Sequence, residues 1–155
     1  MTNLCSEVLT LLTGRSLVTA ESLTGGGIGA ALTAIPGSSE VYKGGVISYT
    51  DWVKHNALGV REEDLQKYGA VSEPVARQMA QGVRRLLKAD VAVSVTGLAG
   101  PGGDEYGNPV GTVFIGYADE GHTEVRECHF LGSREEVRNQ TIAAALNLIL
   151  ECIHE

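Results

Sequence analysis

The chain has 155 residues, a length typical of one domain, and we expect a single domain over residues 1–155. Hydrophobic residues make up 43% and charged residues 20%, a balance that excludes the polar, highly charged class of disordered chains. The net charge is -7 and no run of lysine or arginine forms a stripe, which argues against a nucleic-acid partner or an anionic-membrane surface.

Helices and strands are predicted to alternate along the first half of the chain. Apolar side chains recur at helical spacing in two segments, and Thr2 can cap the first of them. Two other short runs are apolar or β-branched, which is typical of strands. In chain order we expect a helix over 3–13, a strand over 17–20, a helix over 24–34, a strand over 46–50 and short helical turns within 51–69.

The second half is predicted to begin and end with a helix. Ser72 can cap the first and Pro74 is tolerated in its first turn, while Ser133 and Glu136 have the spacing of a capping box. In chain order we expect a helix from 73, a strand over 91–96, a hairpin of strands 110–118 and 123–130, and a helix from 133 to about 153.

This order of elements predicts an α/β fold. Strands that alternate with helices, followed by one hairpin, imply a mixed sheet of about five strands with helices on both faces, which is a three-layer α/β/α sandwich. The longest apolar stretch near the C-terminus is broken by Asn147 and Glu151, so we expect no membrane segment.

The three cysteines carry no recognisable pattern. Cys5, Cys128 and Cys152 form no Cys-x-x-Cys motif and no metal-ligand spacing, so we expect buried or idle thiols, no metal site and a cytoplasmic location. Asp104 and Glu105 lie in a glycine-flanked loop and are interpreted as solvated.

Three polar loops follow predicted strands, and ligands of open α/β sheets bind beyond the carboxyl ends of strands. The loops 22–26, 49–54 and 96–103 are therefore expected to form one cleft. In the first of them, Gly25 and Gly26 at a helix start would expose backbone amides to a phosphate or a developing oxyanion. The alternative is that Ser22 or Thr24 merely caps the helix.

The chemistry of this cleft depends on whether Ser22 has a base. A serine hydroxyl is a weak nucleophile, and a desolvated Lys54 could remove its proton, whereas a solvated Lys54 would be an ordinary surface charge. Tyr49 could relay a proton or simply pack its ring. His55 is interpreted as a surface residue. None of the four histidines, His154 included, stands in a triad pattern.

One more cation could serve an anionic ligand. Arg134, at the start of the last predicted helix, could form a fork onto a phosphate or carboxylate, or it could simply be exposed. The sequence contains neither a P-loop nor a Gly-x-Gly-x-x-Gly motif, so the standard nucleotide fingerprints do not apply.

Several ordered motifs together resemble those of the CinA C-terminal domain family, over about residues 3–153. The family usually has Cys where this chain has Leu23, and Asp where it has Ser133. The chain resembles the stand-alone form of the family. The motifs are Ala20-Glu21-Ser22-Leu23-Thr24-Gly25-Gly26, Pro36-Gly37-Ser38-Ser39, Gly44-Gly45-Val46, Tyr49, Lys54, Gly69-Ala70-Val71-Ser72, Val95-Thr96-Gly97-Leu98-Ala99-Gly100-Pro101, Pro109-Val110-Gly111-Thr112-Val113 and Arg134.

The resemblance implies a nicotinamide-nucleotide amidase, which hydrolyses nicotinamide mononucleotide to nicotinate mononucleotide and ammonia in pyridine-nucleotide salvage. It implies Ser22 as nucleophile and Lys54 with Tyr49 as proton acceptor and donor, without metal or cofactor. We expect a nucleotide substrate and a homo-oligomer. The implied substrate-binding residues include Thr24. Candidates for the oxyanion are the amides around Gly25, Gly26 or Gly97 with the hydroxyl of Thr96, and candidates for the phosphate are Gly100, Gly102, Gly103 and Arg134.

Two other interpretations stay open. The domain could be a non-catalytic nucleotide-binding module in which the glycine loops hold phosphate and Ser22 only caps a helix. It could also be a regulatory partner of DNA-uptake or recombination proteins, as the competence association of the family name suggests. The acidic net charge argues against direct contact with DNA.

Overall fold

A five-stranded sheet organises the computed structural model of the chain, which describes residues 1–153. The strands are β1 (Leu17–Glu21), β2 (Tyr42–Ile47), β3 (Val91–Gly97), β4 (Thr112–Ala118) and β5 (Thr123–His129). The helices are α1 (Thr2–Leu11), α2 (Gly27–Thr33), α3 (Asp51–Leu58), α4 (Glu62–Tyr68), α5 (Glu73–Leu87) and α6 (Arg134–Cys152), with a short 3-10 helix at Ser38–Glu40.

The sheet is mixed, as the order of elements predicted. Its strand order is β2-β1-β3-β4-β5, with β1 parallel to both of its neighbours. Strand β4 runs antiparallel to β3 and to β5. Because β1 and β3 lie side by side and in parallel, the loops that follow them leave the sheet at the same edge.

Helices cover both faces of the sheet, which confirms the three-layer α/β/α fold. On one face α1, α2 and α6 bury apolar side chains that include Val8, Leu32 and Leu146. On the other face α3, α4 and α5 form a second apolar core, which includes Leu58 and Met79. Strands β1 and β3 are therefore buried on both faces, as strands between two helical layers must be.

Strand β2 differs from its predicted position, since it ends at Ile47 and excludes Tyr49 and Thr50. Gly44 and Gly45, which precede the predicted strand, lie inside the observed one. A Cβ atom at Gly45 would stand 2.3 Å from Oγ1 of Thr19 on β1. Glycine is thus needed for the close approach of the two strands, and Tyr49 is left in the loop that leads to α3.

Of the three predicted helix caps, one is confirmed. Ser133 and Glu136 form a full capping box at the start of α6. The prediction for Thr2 is wrong, because α1 begins at Thr2 itself and its N-cap position is Met1. Ser72 occupies the N-cap position of α5, but its hydroxyl donates to the carbonyl of Gly69 and does not cap the helix.

All three thiols are free, and Cys5 and Cys152 are buried. Burial is the main cause that raises the pKa of each thiol above its ordinary value. This agrees with the expectation of buried or idle thiols. No helix within residues 1–153 is long and apolar enough to cross a membrane.

Candidate active site

The three polar loops line one cavity of about 310 Å³, as expected from their positions after the strands. This volume lies at the low end of the range for small-molecule sites. We call the cavity the cleft. Its lining comprises Ser22, Leu23, Tyr49, Asp51, Lys54, Ala70, Val71, Thr96, Gly97, Leu98, Ala99, Gly100, Gly102 and Arg134.

Ser22 and Lys54 are hydrogen-bonded partners in the floor of the cleft. Ser22 immediately follows β1, and Lys54 projects from α3, whose N-terminus is capped by the side chain of Thr50. The Nζ atom of Lys54 donates to Oγ of Ser22 over 3.1 Å and to the carbonyl oxygen of Ser48 over 2.7 Å. Lys54 is only 1% exposed, so the alternative of a solvated loop lysine is wrong.

Burial changes the ionisation of this lysine. Desolvation lowers the pKa of Lys54 from 10.5 to about 8, against the opposing effect of the nearby Asp51 carboxylate. A lysine with such a pKa is neutral in a useful fraction of molecules near neutral pH. Its Nζ atom can then accept the proton of the serine hydroxyl, which is the requirement for activating a serine nucleophile.

The N-terminus of α2 is already occupied by a carboxylate of the chain itself. Glu21, 2% exposed, accepts hydrogen bonds at Oε1 from the amide of Ile28 over 2.8 Å and at Oε2 from the amide of Gly29 over 3.0 Å. Oε1 also accepts from the hydroxyl of Thr24 over 2.6 Å. The expectation of a ligand anion at this helix start is corrected, because Glu21 takes the place of that anion.

Thr24, Gly25 and Gly26 therefore shape the turn and do not line the cleft. Both glycines have positive φ, +57° and +99°, which other residues rarely adopt. A Cβ atom at Gly26 would stand 3.3 Å from Cδ1 of Ile47. These glycines are explained by the tight passage from β1 into α2.

Arg138 holds the same turn from α6. Its Nε atom donates to the carbonyl of Leu23 over 3.0 Å, and Nη2 donates to the carbonyl of Thr24 over 3.1 Å. The guanidinium thus fixes the two residues that follow Ser22. Sequence reasoning missed Arg138, because an arginine in the middle of a helix carries no local signal of a partner more than a hundred residues away.

Tyr49 and Arg134 meet at the mouth of the cleft. The guanidinium of Arg134 donates to the carbonyl of Gly100 and, over 3.3 Å, to the hydroxyl of Tyr49. Tyr49 is 58% exposed, and its hydroxyl makes no hydrogen bond to Ser22 or Lys54. The geometry therefore gives no direct proton path between Tyr49 and the serine-lysine pair.

Thr96 and the glycine loop form the opposite wall. The hydroxyl proton of Thr96 is committed to the carbonyl of Ala70 over 2.9 Å, so this hydroxyl is not free to donate to an oxyanion. Gly97 packs against β4, where a Cβ atom would stand 2.6 Å from Cγ2 of Val113. Gly100 and Gly102 line the cleft with their backbones, and Gly100 has a φ of +103°.

Other candidate residues lie elsewhere. His55 contacts the carbonyl of Val60 through Nδ1 and pairs with Glu62 through Nε2 at 3.2 Å, outside the cleft, which agrees with a surface role. Asp104 is not simply solvated, because its Oδ1 atom accepts from the amides of Tyr106 and Asn108 and so orders its loop. His154 lies outside the described residues.

Comparison with known proteins agrees with this fold. Residues 2–153 match the family model of the CinA C-terminal domain. The chain belongs to the CinA C-terminal domain family. The matched range contains Ser22, Tyr49 and Lys54, which line the cleft.

Among its curated relatives is a CinA-like protein of Sulfurihydrogenibium sp. (strain YO3AOP1), 49% identical over 135 residues, which are 87% of this chain and 34% of that protein. A CinA-like protein of Gloeothece citriformis is 53% identical over 118 residues, or 76% of this chain and 28% of that protein. The chain thus spans about a third of the length of these relatives.

Solved structures of CinA proteins share the fold over nearly their full length. The competence damage-inducible protein A of Klebsiella pneumoniae superimposes with a TM-score of 0.95 and 39% identity, covering 97% of this chain and 95% of that one. A CinA superfamily protein of Escherichia coli superimposes with a TM-score of 0.96 and 36% identity, covering 98% of this chain and 90% of that one.

Proposed function

We propose that this CinA domain is a nicotinamide-nucleotide amidase that hydrolyses nicotinamide mononucleotide to nicotinate mononucleotide and ammonia. The observation that carries the proposal is the hydrogen bond from the buried Nζ atom of Lys54 to Oγ of Ser22. A serine beside a lysine of lowered pKa suits acyl transfer. The nicotinamide substrate comes from the family resemblance and not from the shape of the cleft.

The first half of the reaction forms an ester. Neutral Lys54 accepts the hydroxyl proton of Ser22 while Oγ attacks the carboxamide carbon, which gives a tetrahedral intermediate with a negative oxygen. Protonated Lys54 then donates that proton to the amide nitrogen. The carbon–nitrogen bond breaks, ammonia leaves, and the nicotinate acyl group stays on Ser22.

The second half restores the enzyme. A water molecule in the cleft gives a proton to Lys54 and attacks the ester carbon. The proton then returns from Lys54 to Oγ of Ser22 as the acyl bond breaks. The balance is one nucleotide and one water consumed, and one nicotinate nucleotide and one ammonia produced. The carbonyl of Ser48 keeps Nζ of Lys54 oriented toward Ser22 during both halves.

The oxyanion requires donors that are not already committed. The amides of Leu23 and Thr24, directly after Ser22, donate no hydrogen bond to any residue in 1–153. Leu23 also lines the cleft, so its amide is the best placed donor in the turn. Arg138 contributes indirectly, because it holds the carbonyl groups of the same two residues.

Arg134 is the best candidate for the 5′-phosphate. It lies at the mouth of the cleft, and its two hydrogen bonds go to the neutral oxygens of Gly100 and Tyr49. A phosphate would offer the guanidinium a charged, bidentate partner in exchange. The amides of Gly100 and Gly102 lie on the same wall and would complete the anion site. This arrangement lets an acidic protein hold an anionic substrate.

The proposal is tested by ammonia release from nicotinamide mononucleotide and from its riboside. Purified wild-type protein is expected to release ammonia from both, with a clear preference for the nucleotide, and Ser22→Ala is expected to release none. Ser39→Ala, at an exposed serine outside the cleft, serves as the control. Tight nucleotide binding without ammonia release from the wild type would instead favour the non-catalytic binding module.

A further inference from the structure

Away from the cleft, three side chains with metal-ligating atoms converge where the C-terminal end of α6 meets the start of β5. They are His122, Glu124 and Cys152, and one ligand atom from each lies within 4.8 Å of the other two. Nε2 of His122 already lies 3.1 Å from Oε1 of Glu124. Within residues 1–153 this is the one group of three or more such residues.

The fold explains the convergence. His122 immediately precedes β5 and Glu124 is its second residue, so a spacing of two places both side chains on one face of the strand. Cys152 is the last residue of α6 and is 5% exposed. The side chains of His122 and Glu124 are 48% and 32% exposed, so an ion can approach from solvent on their side.

We propose that His122, Glu124 and Cys152 form a binding site for a divalent transition-metal ion of the Zn²⁺ class. A thiolate, an imidazole and a carboxylate are the three donor types that Zn²⁺ takes, and water would fill the fourth tetrahedral position. Binding takes the lone pair on Nε2 of neutral His122, whose one ring proton then sits on Nδ1. It also displaces the thiol proton of Cys152, which passes to water.

Arg126 fixes the orientation of the Glu124 carboxylate as a metal ligand. Its Oε2 atom accepts from Nη2 of Arg126 over 2.7 Å and from Nε of Arg126 over 3.1 Å. The other oxygen, Oε1, faces His122 and is available to the metal. Such an outer partner fixes the orientation of a ligating carboxylate. The charge of Arg126 thus contacts the oxygen that does not bind the ion.

The site would link the end of α6 to the β4–β5 hairpin. None of its three residues lines the cleft, so the inference does not depend on the proposed amidase activity. A metal bound only by the folded state stabilises that state by an amount that grows with the ratio of free metal to its dissociation constant. The expected role is therefore structural.

The test is a titration of the purified, reduced, metal-free chain with Co²⁺ and Zn²⁺. Wild type is expected to bind one Co²⁺ with the near-ultraviolet absorption of a thiolate–cobalt bond, to lose it to Zn²⁺, and to melt at a higher temperature with Zn²⁺. Cys152→Ser should lose the absorption band, and His122→Gln should weaken binding at least ten-fold. Because His122 is on the surface, the second variant should fold even if the first does not.

The same strand provides a matched control. His129 and Glu127 form a similar pair, with Nε2 of His129 2.7 Å from an oxygen of Glu127, but among residues 1–153 no third ligand joins them. His129→Gln and Cys128→Ser should leave Co²⁺ binding unchanged. Absence of the thiolate band in wild type, or equal affinity of wild type and His122→Gln, would overturn the proposal.

Discussion

The Nζ atom of Lys54 lies 3.1 Å from Oγ of Ser22, and the side chain of Lys54 is almost completely buried. Thirty-two residues separate the two along the chain. The contact forms because β1 and β2 are parallel neighbours, so the loops after them leave the same edge of the sheet. Burying the amine of Lys54 costs free energy, because its charged form loses the hydration it would have in water. A contact that served the fold alone would not need a buried lysine.

Replacing the nucleophile should abolish turnover and leave the fold intact. Ser22→Ala removes one oxygen atom and no apolar contact, so we expect kcat to fall on the order of 10³-fold or more while Tm changes little. Ammonia release and a thermal melt measure the two effects. Retention of more than roughly a tenth of the wild-type kcat, a loss under about 1.4 kcal/mol, would make the nucleophile assignment wrong.

Replacing Lys54 with arginine distinguishes two roles for this residue, a general base and a permanent positive charge. Arginine keeps the positive charge but cannot become neutral, so Lys54→Arg should lose kcat far more than substrate affinity. Lys43→Arg, at an exposed lysine of β2, is the matched control and should behave as wild type. Near-normal turnover in Lys54→Arg would remove Lys54 from the role of base.

The pH dependence of the reaction follows from the lowered pKa of Lys54, about 8. The neutral amine is the active form, and its fraction grows as pH rises, so kcat/KM should increase about ten-fold per pH unit well below this pKa and level off above it. Initial rates between pH 6 and 9.5 measure the profile. A flat profile, or a rise that continues toward the pKa of an ordinary lysine, would contradict this assignment.

Much of the fold could be predicted from the sequence, because the runs over 17–20 and 91–96 are mostly apolar or β-branched and polar loops follow them. The position of β2 could not, since Gly44 and Gly45 resemble turn residues and only the structure shows Gly45 packed against Thr19 of β1. The burial of Lys54 likewise depends on α3, whose polar sequence suggests solvent exposure.

The site residues that the sequence concealed all depend on distant partners. Glu21 is an acidic residue at the end of an apolar strand, and only the fold shows that it accepts the amides of Ile28 and Gly29. The proposed metal ligands His122 and Cys152 show no ligand spacing in the sequence, because the chain between them runs through β5 and α6. Local patterns carry no information on contacts of this kind.

Gly26 provides a test of the corrected role of the turn. Its φ of +99° and the nearby Ile47 side chain disfavour any Cβ atom, so Gly26→Ala should lower the free energy of unfolding by roughly 1 to 2 kcal/mol. Denaturant unfolding measures the loss. Gly121→Ala, where a Cβ atom meets nothing within 4 Å, should be nearly neutral. A binding defect without loss of stability would restore the glycine amides to the ligand site.

Arg138 is expected to act as a positioning residue for Ser22. Removing its two hydrogen bonds to Leu23 and Thr24 leaves the turn after the nucleophile less constrained, and small displacements of reacting groups slow a reaction strongly. Arg138→Gln should therefore lower kcat about ten-fold or more with little change in KM. The pH at which the profile levels off should stay near that of wild type, because Lys54 keeps its surroundings.

The comparison that decides this role uses Arg77→Gln, which breaks an exposed ion pair with Glu73 on α5 and should leave kcat unchanged. Arg138→Lys should recover part of the lost activity, since a lysine can donate to one of the two carbonyls but cannot reproduce the fork. A fall in Tm at full kcat would show that Arg138 holds the fold only. A shifted pH profile would show that it acts on Lys54 and not on the turn.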